Sequence, residues 1–238
     1  MNKFRIFRAD IKRSFTEPLF FVSLFLGTAM LFLAFFYLLG QEESGLFGGA
    51  GLFKTAQAML FPFAAPLLCA LPYSGMKMLE RDTKFDKLIL IKIRRTGYAM
   101  PRFFAVGVTG AAALLIPQCL LLAAVLIFKQ GTTDMLETCK GILLAIPFGF
   151  AYSSFAYGLT FFNRKRYIPV LAPQVIYMLC VYAFPILQLT RFYPPLGISP
   201  WIYGDAAYSD LLSVSLVIVL GAAAMTFAGA ALRKDGAA

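Results

Sequence analysis

Side chains that usually carry chemistry are sparse in this sequence, and their spacing rules out most reactions. There is no histidine among the 238 residues, which removes His-ligated zinc sites, Ser-His-Asp triads and H-E-x-x-H proteases together. The four cysteines, Cys69, Cys119, Cys139 and Cys180, form no C-x-x-C pair. Three of them fall near the middle of apolar runs, where a thiol packs as a small apolar group. The stretch "GGAGLFKT" places Gly49, Gly51, Lys54 and Thr55 much as a phosphate-binding loop does. That loop needs glycine immediately before the lysine, and Phe53 stands there with no strand ahead of it. It reads as a flexible glycine-rich connector.

Charge is concentrated in one internal segment, "ERDTKFDKLILIKIRRTGYAMPR", residues 80–102. Taken as a helix, it sets Phe85, Leu88, Ile89 and Lys92 at helical spacing, with Leu90, Ile91 and Ile93 extending the apolar surface. Glu80, Asp82 and Asp86 come early, where a helix dipole favours acids. Lys92, Arg94 and Arg95 come late, where it favours bases, and Gly97 is a plausible stop. The spacing predicts a short autonomous helix over 80–97, lying at a membrane face.

The surrounding elements explain why a membrane is invoked. The chain is 60% hydrophobic and 14% charged with mean hydropathy +0.74, well outside the composition of soluble domains. Six windows are long and apolar enough to span a bilayer: residues 19–40, 55–78, 103–128, 141–162, 167–189 and 211–232. An all-α integral membrane protein with six transmembrane helices is expected, several of them kinked by internal prolines. With the N-terminus inside, eighteen of the 22 Lys and Arg residues fall on the cytoplasmic side. This places both termini in the cytoplasm of a plasma-membrane protein. The net charge of +10 is therefore a topology signal, and nucleic acid is not an expected partner. The first window is too long for a signal peptide's apolar core and lacks a cleavage site.

Four further patterns qualify this frame. Residues 1–17 place Phe4, Phe7, Ile11 and Phe15 on one helical face and the basic residues elsewhere, which predicts an interfacial amphipathic helix ended by Pro18. Gly141, Ala145, Gly149 and Ser153 recur every four residues and predict close helix packing, within the chain or across a dimer. Residues 191–210, rich in aromatics and proline, predict short interfacial or re-entrant pieces. The spans hold no acid or base away from their ends; their strongest polar groups are Gln118, Gln174 and Gln188, with several serines and tyrosines. Ion-coupled transporters place ionisable groups at mid-depth, so any uphill transport must draw on a separate ATP-hydrolysing subunit.

These features together resemble the permease subunit of ABC-2 type (type V) exporters. The resemblance rests on six spans with both ends inside, the N-terminal interfacial helix and the aromatic pieces before span six. It rests also on Glu80 followed by "FDKLILIKIRRTGYAMPR" with Arg94, Arg95, Tyr98 and Arg102. The chain departs from the family in having Thr83 and Lys84 where a glycine often follows the acid. The resemblance implies a coupling helix between spans two and three. In it, Glu80, Phe85, Asp86, Leu88, Ile89, Lys92, Arg94 and Arg95 would meet a nucleotide-binding subunit. Two copies of that ATPase would hold ATP and Mg2+, leaving this chain without cofactor or catalysis. It further implies a second permease, identical or homologous, and export of a peptide, lipid-like compound or drug. A pathway would draw on Gln118, Gln174 and Tyr177. Two other readings stay open: a membrane scaffold or sensor that recruits a cytoplasmic partner, and a strip that rests only on anionic lipid.

Overall fold

The computed structural model describes residues 3–41, 49–82, 95–128, 135–163, 165, 167–202 and 208–232. Among these the regular elements are all helical: α1 (Lys3–Thr16), α2 (Pro18–Gly40), α3 (Gly49–Met59), α4 (Phe61–Asp82), α5 (Arg95–Phe128), α6 (Met135–Phe162), α7 (Ile168–Ile186) and α8 (Tyr208–Leu232). Three single 3₁₀ turns, Thr190–Phe192, Pro194–Gly197 and Pro200–Ile202, lie between α7 and α8.

Local chemistry sets several boundaries. Glu17 is extended at φ −69° and ψ 132°, as the residue before a proline must be, and Pro18 opens α2 with its φ already helical. Thr16 Oγ1 closes α1 by donating to the carbonyls of Lys12 and Arg13 at 3.2 and 3.0 Å. At the end of α7, Gln188 adopts φ 58°. Its N–H donates to the Pro185 carbonyl and that of Leu189 to Phe184, at 3.2 and 2.9 Å. This is a Schellman cap built on glutamine rather than glycine, and it ends the helix at Ile186, so Gln188 lies beyond the span in which the sequence had placed it.

The chain is a multi-pass helical membrane protein. Five helices, α2, α5, α6, α7 and α8, are long and apolar enough to cross a membrane. Their outward faces carry large exposed apolar groups such as Phe25 (73%), Ile127 (77%) and Ile186 (80%). The expected second span is not the continuous helix of residues 55–78. It is broken at Leu60 into α3 and α4, bent by 65°, and counts as a sixth crossing only if the bent pair is taken as one. Pro62 is the cause: it cannot donate to the Ala58 carbonyl, and its ring crowds that turn. Residues 49–54, expected in a flexible connector, belong to α3.

α6 lies at the centre, packed against α5, α8, α4 and α7. Its small-residue stripe settles inside the chain. A methyl group on Gly149 would sit 2.7 Å from the Gly110 carbonyl oxygen and 2.8 Å from Ala111 Cα, so the α5 and α6 backbones touch at a glycine pair. Ala145 is fully buried and Ser153 nearly so, while Gly141 faces the ring of Trp201. The aromatic segment before α8 likewise joins the core: Trp201 stands edge-on to Phe53 of α3 at 6.2 Å between ring centres. Of the cysteines, Cys69 is buried, while Cys119 and Cys139 are exposed.

Gly149→Ala is therefore expected to destabilise by about 1–3 kcal/mol through overpacking. Gly221→Ala, in α8 where an added methyl group would meet no other part of the described protein within 4 Å beyond its own helix backbone, should be neutral or stabilising by up to ~1 kcal/mol. Thermal unfolding in detergent checks both, and equal effects would contradict the close crossing.

Candidate functional site

Four charged side chains from three helices meet near the end of α4 and the beginning of α5. Glu80 is in the last turn of α4, two residues before Asp82; Arg102 is in the third turn of α5; Asp10 and Arg13 are on α1. Arg102 binds Glu80 through both Nη atoms, Nη1 to Oε2 and Nη2 to Oε1, each at 2.5 Å. This bidentate fork is the strongest geometry available to an arginine and a carboxylate. Arg102 Nη2 also donates to Asp10 Oδ1 at 3.2 Å, and Arg13 Nη1 donates to Glu80 Oε1 at 2.5 Å. Glu80 has no exposed side-chain surface and Arg102 only 2%, whereas Arg13 keeps 36%.

The sequence positions each group by simple periodicity. Ile6, Asp10 and Ser14 follow one another every four residues and form the buried stripe of α1, so the helix roll that buries Ile6 also buries Asp10. Arg5, Arg8 and Lys12 are left exposed. Tyr98 and Arg102 stand four apart on α5, with the guanidinium carbon 4.5 Å from the centre of the tyrosine ring. That contact adds cation–π attraction to the ion pairs.

Two acids and two bases leave the cluster neutral when all four are ionised, which is how charges can be buried at all. Asp10 is the weakest member. Its Oδ2 has no hydrogen-bond partner among the described residues. Burial raises its pKa above 3.8, and the neighbouring Arg102 opposes that rise without cancelling it. The cluster is a joint that locks α1, α4 and α5 together at the two ends of residues 83–94.

The expected site residues are distributed as follows. Glu80, expected as the acid that opens a separate helix over 80–97, lies in the last turn of α4 and is buried. Arg95, from the same expected helix, opens α5. Phe85, Asp86, Leu88, Ile89, Lys92 and Arg94 lie outside the described residues. Gln118 is fully buried and accepts from Gln57 Nε2 of α3 at 2.8 Å. Tyr177 is also fully buried, its ring 5.8 Å from that of Tyr152. Gln174 is engaged with the backbone of α4, so the three polar residues expected along a pathway sit in separate contacts. Sequence reasoning did not single out Asp10 and Arg13, and it read Arg102 as a topology signal and as part of the motif that carries the resemblance. The available signal was that Asp10 is the one acid of α1 and shares its stripe with Ile6 and Ser14.

No protein-family model matches the chain, and no curated protein matches it in sequence.

Two outcomes follow from the joint. Glu80→Gln leaves Arg102 buried without its carboxylate and should lower stability by about 3–5 kcal/mol. Glu80→Leu combined with Arg102→Leu should recover most of that, and a double variant no more stable than the single one would show that the two charges are not coupled. For Asp10, the raised pKa means that the folded state holds a proton the unfolded state has released. Stability attributable to this group therefore falls as pH rises from 3.8 through its raised value. Asp10→Asn should remove that slope, measured as the difference in unfolding temperature between wild type and variant across acidic pH.

Proposed function

We propose that the chain is the membrane permease of an ATP-driven exporter of ABC-2 type, and that residues 83–94 receive mechanical work from a separate nucleotide-binding subunit. The observation that carries this reading is the buried joint of Glu80, Arg102, Asp10 and Arg13. A push on the strip reaches α4 and α5 through paired, desolvated charges, which hold their geometry better than hydrated ones, and α1 moves with them. Two sequence features support the same reading. The spans carry no acid or base away from their ends, so coupling to ions within the membrane lacks its usual ligands. No phosphate-binding loop supplies ATP chemistry from within the chain.

On this reading both termini and the strip face the cytoplasm, as the lysine and arginine distribution requires. The permease pairs with a second copy or a homologous chain and with two ATPase subunits that hold ATP and Mg2+. The cargo is an amphipathic compound such as a peptide, a lipid-like molecule or a drug.

Affinity purification from native membranes is expected to bring down an ATPase whose turnover changes when amphipathic compounds are added. Phe85→Asp should reduce its recovery at least tenfold while leaving the unfolding temperature of the permease near that of wild type. Recovery of no ATPase, or full recovery with the Phe85→Asp chain, would sink the proposal.

A further inference from the structure

α4 contains Pro66 and Pro72, and a proline inside a helix removes its own i→i−4 bond and opens the adjoining turn. In hydrocarbon each freed group needs a protein partner. Here the partners come from two other helices. Pro72 cannot donate to the Leu68 carbonyl, which accepts instead from Ser23 Oγ of α2 in a buried bond of 2.6 Å. One turn away, the Leu67 N–H donates to Gln174 Oε1 of α7 at 3.2 Å, and Gln174 Nε2 donates to the Phe63 carbonyl at 2.7 Å. Residues 63 and 67 are the pair that a regular helix joins directly. A single side-chain amide thus bridges the donor and the acceptor of one ladder bond. The two anchors differ in how firmly they are held. Ser23 is fully buried, whereas α7 has only 22% of its apolar window inside the protein.

We propose that the Gln174 amide is a releasable clasp on a hinge in α4. With α7 docked, the amide bridges the Phe63 carbonyl and the Leu67 N–H on the turn that holds Pro66. When α7 withdraws, the Leu67 N–H and the Phe63 carbonyl are left to a direct bond that Pro66 weakens, and the turn loosens. Docking of α7 and the bend of α4 are then coupled, because withdrawing the amide weakens the pairing of two backbone groups that lipid cannot satisfy. α4 runs from the break after α3 to the Glu80 joint, so the hinge relays tilt between its two ends. The inference rests on helix geometry alone and is independent of the permease reading.

The test is residue-resolved hydrogen exchange with thermal unfolding, on the full chain in lipid nanodiscs. Gln174→Leu is expected to speed exchange of the Leu67 amide roughly tenfold or more, while Ser23→Ala leaves that amide unchanged. Pro66→Ala lets the turn close by itself, so Gln174→Leu in that background should change Leu67 exchange less than about twofold. Equal acceleration in both backgrounds, or none in either, overturns the clasp. If Gln174→Leu alone does not fold, recovery of folding by Pro66→Ala supports the proposal and failure to recover overturns it. Release is read by pulsed electron spin resonance between labels at residues 63 and 179, with the native cysteines replaced. Two distance populations are expected in the native sequence and one in the Pro66→Ala, Gln174→Leu chain; a single shared distance overturns the hinge.

Discussion

Backbone N–H and C=O groups in hydrocarbon have no water to fall back on, so each must be paired within the protein, and α4 shows how neighbouring helices help to meet that constraint. Its two internal prolines free groups that its own helix cannot satisfy. Ser23 of α2 takes up the Leu68 carbonyl that Pro72 leaves free, and Gln174 of α7 bonds the backbone of the turn at Pro66, so both bonds tie outer helices to α4 at these levels. The prolines therefore do more than bend a helix. They oblige neighbouring helices to approach at defined positions, and the outer helices are placed partly by that obligation.

Charge imposes the second constraint. An arginine or glutamate at the margin of the apolar region is expensive unless paired with good geometry, and Glu80 and Arg102 meet in a two-pronged contact that satisfies this demand. The pairing draws in Asp10 and Arg13, so the amphipathic helix α1 is held to α4 and α5 by more than its apolar face. The basic residues left over on α1, Arg5, Arg8 and Lys12, then have a fixed direction. The ion cluster and the proline contacts act on the same helix at different levels, which makes α4 the element through which most of the others are connected.

Much of the helix plan was legible because span length and apolar composition are local properties of the chain. The windows beginning at residues 19 and 141 and the break at Pro18 all reappear in the structure, with boundaries moved by a few residues. The division of the second window at Leu60 was harder to read. Several prolines occur within it, and composition does not tell which one stops a helix and which one only kinks it. Gly149 was legible as a packing position, but its partner Gly110 was not, since the choice between a contact within the chain and one between chains is a matter of three-dimensional geometry. Gln118, Gln174 and Tyr177 read alike in sequence as polar groups in apolar spans. Their actual engagements differ: Gln118 accepts from another side chain, Gln174 bonds the backbone of α4 and Tyr177 packs against aromatic rings.

By itself the sequence determined that this is a helical membrane protein, where most of its apolar spans fall, and that it has no histidine-dependent site, because hydropathy, length and residue type need no knowledge of neighbours. Only the tertiary structure decided that Glu80 belongs to α4 and pairs with Arg102, that Asp10 is buried, and that Gln174 and Ser23 complete the backbone of another helix. In each case the energy depends on a partner many residues away in the chain, brought within hydrogen-bond distance by the packing of whole helices.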